Sequence, residues 1–183
     1  MTQPPDDSLA RQARRDPKAF SELYQRHVNA VYRFVLARTG NQEDAQDLTT
    51  ETFMSALESI GNYREGGSFR AWLFGIARNK IADFYRAHRQ TVSLEAAETV
   101  IDPDPLPDEK AMQSMQMERV MEVINLLTPD RAEAFTLRIW GGLSAAEIGD
   151  IMGKSEASVK MLVHRAWHDV RLRLAPAGGE QYE

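Results

Sequence analysis

At 183 residues and 43% apolar content, the chain can form one medium domain or two small ones and is too apolar to be a disordered tail. It has no cysteine, which excludes disulfides and thiolate metal sites and fits a reducing cytoplasm; no apolar run nears the ~18 residues needed to span a bilayer, and the N-terminus lacks the apolar stretch of a signal peptide. The formal net charge of −5 hides a segregation: residues 64–89 carry six Lys/Arg against two acids, 93–133 ten acids against three Lys/Arg, and 153–174 five Lys/Arg against two acids. Local patches of this kind, rather than net charge, set affinity for nucleic acid.

Helical periodicity runs through almost the whole chain, and no segment alternates in the manner of a strand. Phe20, Leu23, Tyr24, His27, Val31, Phe34 and Val35 mark a first amphipathic helix that ends at Gly40. Asn41 caps a second, with Glu43 and Asp44 in the first turn, where the helix dipole favours acids. That helix runs to about Ile60, and Gly61 to Gly67 is a loop. A third helix, FRAWLFGIARNKIADFYRAHR, spans Phe69 to Arg89. Thr91 to Met112 is rich in Asp, Glu and Pro and reads as an extended acidic linker. A helical stripe resumes from Met115 to Leu127. Thr128-Pro129 starts another helix with a capping Thr, and Gly141-Gly142 stops it. Ser144 and Glu147 form a capping box; the helix behind them ends at Gly153, and Ser155 caps a last helix to about Leu174. The fold expected is all-α: two small helical domains, 1–90 and 113–175, joined by the flexible linker 91–112, with a disordered tail 176–183.

Three constellations carry chemistry. On the 69–89 helix, Phe69, Trp72, Leu73, Ile76, Phe84 and Ala87 fall on one face, read as core. Phe74, Arg78, Tyr85 and Arg89 fall on the other, flanked by Arg70 and Arg86. Outward aromatics interleaved with arginines fit single-stranded nucleic acid, bases stacking on rings and phosphates held by guanidinium groups; the alternative is that Phe74 and Tyr85 pack on a neighbouring helix while the arginines are solvated. Lys80 and Asp83 are expected to pair with each other or with neighbours. In the second helix, Asp44, Asp47 and Glu51 surround Leu48, expected to be exposed, as a docking face for a basic partner helix. The segment 143–174 is a helix-turn-helix. Ile148, Ile151, Val159, Val163 and Ala166 form its core, while Ser155, Glu156, Ser158, Lys160 and Arg165 face the major groove or its phosphates. His164 and His168 are four apart but lack a third ligand, so phosphate contact or a plain surface position is expected there and no metal.

Together these motifs, from Ala19 to Leu174, resemble the extracytoplasmic-function sigma factors, a compact branch of the sigma-70 family. Asp44, Asp47, Leu48, Glu51 and Phe53 are similar to the region that docks on the polymerase β′ subunit. Phe69 to Leu73 and Ile76 to Asn79 are similar to the region that melts and captures the −10 element. The resemblance assigns −10 contacts to Asn62 and Arg64 in the preceding loop, which in that family helps to hold a flipped-out base. On the helix it assigns them to Arg70, Trp72, Phe74, Arg78, Asn79, Tyr85, Arg86 and Arg89. Leu143-Ser144, Glu147-Ile148, Gly153, Ser155-Glu156, Val159-Lys160 and His164 to Ala166 are similar to the reader of the −35 element, which adds His164 to the contacts there. Thr50 stands where the family usually has Gln, Gly149 where it usually has Ala, and Met161 and Leu162 where polar or basic residues are common. The resemblance implies a cytoplasmic, non-enzymatic initiation factor without cofactors or membrane insertion. Its partners would be the β′ and β subunits of core RNA polymerase, duplex and melted promoter DNA, and an anti-sigma factor. The linker's six acids against one Lys suit a basic, nucleic-acid-shaped channel of the polymerase, which it is expected to thread; the alternative is a solvated tether. The alternative is a helix-turn-helix regulator of duplex DNA that never docks on polymerase; it leaves the acidic and aromatic-basic faces without a purpose.

Overall fold

A computed structural model describes residues 4–64, 67–91 and 108–174, with side chains 89–91 and 108–116 outside the description. All regular structure among the described residues is helical. A short helix α1 (Asp6–Ala13) follows Pro4-Pro5 and opens with two acids. Asp16 caps α2 (Pro17–Thr39) by accepting from the Lys18 N–H, and Pro17 at its first position loses no hydrogen bond. Gly40, at φ 68°, turns the chain out of α2 through the left-handed region that costs a residue with a Cβ. The Asn41 side chain accepts from the Asp44 N–H and starts α3 (Gln42–Ser59), as its sequence suggested. A 3-10 turn (Ile60–Asn62) leads to the loop before α4 (Phe69–Thr91).

The second half comprises α5 (Asp108–Asn125), α6 (Pro129–Ile139), α7 (Ala145–Met152) and α8 (Glu156–Leu174). α5 starts within the stretch read as linker, and the rest of that stretch lies outside the described residues, as does the tail beyond 174. Thr128 sits at the start of α6, but its side chain makes no capping bond. The Ser144–Glu147 capping box closes in both directions, at 3.2 and 2.7 Å. No helix among the described residues is long and apolar enough to cross a membrane.

α2, α3 and α4 pack as a bundle around Leu23, Val31, Phe34, Val35, Leu73 and Phe74. Phe34 and Phe74 meet edge to face at 5.4 Å and 66°, an arrangement worth roughly 0.5–1.5 kcal/mol beyond the area it buries. A second core joins Val123, Ile124 and Leu127 of α5 to Ala132 and Phe135 of α6 and Ala166 and Val170 of α8. The halves are not separate bodies. Ala37 of α2 enters the second core, and Leu137, Leu143, Ile148 and Val159 continue the first. α2 lies against α5 and α6, and α4 against α7.

Candidate nucleic-acid interface

The loop before α4 is held from a distance. Asp7 of α1 accepts from the backbone N–H of Phe69 at 2.9 Å, so its carboxylate caps α4 from 62 residues away. The same Oδ1 lies 2.7 Å from the hydroxyl of buried Tyr63, which shares its one hydrogen between Asp7 and the Gly67 carbonyl. Arg14 donates to the Tyr63 carbonyl. Ser68 adds a local cap, its Oγ accepting from Ala71 N–H at 3.2 Å. Tyr63, Phe69 and Trp72 form an aromatic cluster, with centroids 5.4 to 5.9 Å apart. One carboxylate thus gathers both ends of the loop.

α1 is itself anchored by Asp6, which takes Arg26 at 2.9 Å and His27 Nε2 at 2.8 Å, with Arg70 3.8 Å away. Burial pushes the Asp6 carboxyl up, but Arg26, His27 and Arg70 outweigh it and hold it below its ordinary value. His27 also falls below its ordinary value: burial and the flanking Arg70 and Arg26 exceed the pull of Asp6.

The exposed surface around the loop carries Asn62, Arg64 and Arg70, with Trp72 half-buried behind them and Asn79 exposed further along α4. A cavity of about 830 Å³ opens here, between Asn62, Arg64 and Trp72 on one wall and Glu147, Asp150 and Ile151 of α7 on the other. Phe74 does not belong to this surface. It is 0% exposed against Phe34, because α4 is gripped over a wide arc and the apolar edge of that arc reaches past the wheel's expected boundary. Ala87, expected in the core, is exposed. Arg78 is half-buried and donates Nε to Glu133 of α6 at 2.5 Å; Tyr85 donates its hydroxyl to the Arg38 carbonyl. Burial raises the Tyr85 pKa. Arg86 pairs with Asp83, and Lys80 pairs with Glu51 at 3.6 Å, so of the two arrangements expected for Lys80 and Asp83 it is pairing with neighbours that is made. The Arg89 side chain lies outside the described residues.

On α3 the exposed stripe differs from the one expected. Asp47 and Glu51 are exposed and Asp44 is half-buried, but Leu48 is 5% exposed and Phe53 stacks edge-on against Tyr24 at 4.8 Å. Both belong to the core that α3 shares with its neighbouring helices. The apolar residues that face outward beside the acids are Met54, 58% exposed, and Leu57, 50% exposed. Along α8, Ser155, Glu156, Ser158, Lys160, His164 and Arg165 all lie on the exposed side, over Val159 and Ala166 buried beneath. Ser155 Oγ accepts from the Ser158 N–H at 3.2 Å, and Glu156 pairs with Lys160 at 2.7 Å.

The arrangement has known counterparts. Residues 23–91 match the sigma-70 region 2 model and residues 117–167 the sigma-70 region 4 model. The sigma factor SigM of Bacillus subtilis is 35% identical over 154 residues, which are 79% of this chain and 88% of the relative. The chain belongs to the extracytoplasmic-function sigma factors. BldN of Streptomyces coelicolor is 36% identical over 81% of the chain, and SigE of Mycolicibacterium smegmatis 32% identical over 88%. The chain spans only 57% and 64% of those two relatives' own lengths. A solved structure of CnrH with the cytosolic domain of CnrY matches the fold with a TM-score of 0.70 at 24% identity, covering 94% of this chain and all but 1% of that one.

Two features of this sigma factor escaped the sequence. α1 precedes the matched region and carries the carboxylate of Asp7 that holds the loop; its only local sign was Asp6-Asp7 after two prolines, a helix start. Glu133 reads in sequence as one acid among many, yet in the fold it is buried between Arg78 at 2.5 Å and Arg38 at 3.3 Å.

Proposed function

We propose that this sigma factor docks on core RNA polymerase through α3, reads a −35 element with α8, and captures the melted −10 strand with α4 and the loop before it. The observation that carries the docking role is the α3 stripe of Asp47, Glu51, Met54 and Leu57, acids and apolar side chains standing exposed together. A partner with basic and apolar side chains covers such a stripe, which suits a helix of the β′ subunit; β is the second polymerase contact. Arg64 in the loop and Arg70 and Arg78 on α4 supply phosphate contacts, and Trp72 lines the cavity beside the loop where an unstacked base fits. The work is binding: holding bases out of the stack favours the open strand, and polymerase performs the chemistry. On α8, Ser155, Ser158, Lys160, His164 and Arg165 lie where duplex edges and phosphates are read, with Glu156 placed to accept from a cytosine amine. The structural relatives CnrH and the Bartonella quintana RpoE were solved with CnrY and the anti-sigma factor NepR, which supports an anti-sigma partner for this chain in the cytoplasm.

The test is the double reversal Asp47→Lys and Glu51→Lys in the full chain. Core-polymerase affinity falls by about 3 kcal/mol, since charge pairs at such interfaces couple by ~1.5 kcal/mol or more each. Binding to a duplex carrying the −35 element stays unchanged. Unchanged core affinity in a fluorescence titration overturns the docking role and returns the chain to a regulator that works without polymerase.

A further inference from the structure

Two apolar residues stand on α8 where the family commonly has polar or basic ones, and the fold accounts for one of them. Leu162 is half-buried and packs against the first core. Met161 is 52% exposed and joins neither core. Single exposed apolar side chains are ordinary on protein surfaces, so it is the surroundings of this one that carry information. Three and four residues to either side, the positions that share its helix face are Ala157, Ser158, His164 and Arg165, and all four are exposed. Lys160 stands beside it, paired with Glu156 at 2.7 Å. Met161 therefore lies at the centre of the face whose hydroxyl and cationic groups suit DNA.

The other large exposed apolar groups of α8 lie elsewhere. Trp167 is about 120° round the helix from Met161 at 3.6 residues per turn, and it rests on Phe135 of α6 with centroids 5.6 Å apart. Leu172 is about 16 Å further along the axis at 1.5 Å per residue. Met161 is thus not part of a contiguous apolar patch of the kind that marks a protein-docking surface.

A thioether has no hydrogen to donate and accepts only weakly, so it cannot read the donors and acceptors that identify guanine, cytosine or adenine. The major groove offers it one apolar feature, the C5-methyl group of thymine. An unbranched, polarizable side chain adapts well to so small a contact. We propose that Met161 is a specificity-determining residue whose side chain packs on the C5-methyl of a thymine in the −35 element. This deepens the reading of α8 as the −35 surface and rests on it. Thymine is then required at that position for its methyl group and not for its pairing.

The test replaces thymine by deoxyuridine, which removes the methyl and leaves base pairing and the O4 acceptor in place. The probe is a fluorescein-labelled duplex selected, from a pool with randomised central pairs, by the full chain bound to core polymerase. Each thymine of that duplex is replaced in turn, and affinity is read by anisotropy. At least one replacement is expected to lower wild-type affinity about fourfold, the worth of one buried methyl. Met161→Ala, at an exposed position that does not threaten folding, is expected to bind the thymine duplex about fourfold more weakly and to stop distinguishing it from the deoxyuridine duplex. Leu172→Ala, 61% exposed on the same helix, keeps the full distinction. The proposal is overturned if no replacement lowers affinity, or if Met161→Ala still loses fourfold on deoxyuridine. It is also overturned if Met161→Ala weakens binding to core polymerase while the two duplexes stay distinguished, which makes Met161 a protein-docking residue. Lys160→Ala with Arg165→Ala checks the underlying reading separately. If that variant binds the selected duplex as tightly as wild type, α8 is not the −35 surface, and that reading falls together with the proposal.

Discussion

Asp7 gives the most direct test of the loop's architecture. Asp7→Ala removes the acceptor for Phe69 N–H, which leaves the first turn of α4 with Ser68 as its one remaining side-chain cap. Loss of such a cap costs ~1 kcal/mol. It also removes the carboxylate acceptor of Tyr63, whose hydroxyl keeps the Gly67 carbonyl and so is not orphaned; about 1 kcal/mol is assigned to that loss. The sum, about 2 kcal/mol, lowers Tm by roughly 4–8 °C in a protein of this size. Asp7→Asn keeps a carbonyl oxygen in place and retains most of the stability. The sharper assay is trypsin cleavage after Arg64, which is exposed in the loop. If cleavage requires local opening, ~2 kcal/mol accelerates it roughly thirtyfold in Asp7→Ala. The reasoning is refuted if Asp7→Ala leaves both Tm and the Arg64 cleavage rate at wild-type values, or if Asn is as damaging as Ala.

Gly149→Ala, the substitution that restores the residue usual in the family, is expected to destabilise the helix-turn-helix by about 1–3 kcal/mol. A Cβ there would lie 2.6 Å from the Lys154 carbonyl, which is backbone and cannot swing aside. Thermal unfolding checks this, and anisotropy on a −35 duplex reports whether the turn has widened. His27 sets a pH dependence. With its folded pKa below the ordinary ~6.5, the unfolded chain binds the proton first, so stability is full above pH ~7.5 and falls as pH drops, by up to ~1.4 kcal/mol per unit. The groups facing it are Asp6, Arg26 and Arg70, and Asp6, held low, stays ionised throughout that window. Urea titrations at pH 8 and pH 5.5 should differ for wild type and far less for His27→Gln.

What the sequence made legible was local. The caps at Asn41 and Ser144, the glycine exits at Gly40 and Gly153, and the periodicity of each long helix depend on neighbours within a few residues, and each appears in the structure. The exposed side of α8 was equally readable, because a helix resting on one core has one outward face. α4 broke that assumption. It is packed by α2 and α3 on one flank and approached by α6 and α7 on another, so Phe74 was drawn outward on a wheel that allowed it a single buried side. Leu48, expected to be exposed, is buried for the same reason, since α3 shares seams with both α2 and α4. Asp7 and Glu133 were illegible in principle: their partners stand 55 to 95 residues away, and nothing in their immediate sequence distinguishes them from solvated acids.

The pairing of Arg78 with Glu133 joins two halves of one polypeptide, and that has a consequence for dosage. A contact within one molecule does not weaken on dilution and cannot be titrated away by making more protein, whereas a separate inhibitor is outrun once its target exceeds it. The contact between α4 and α6 therefore keeps the same occupancy in every copy, whatever the concentration of the protein.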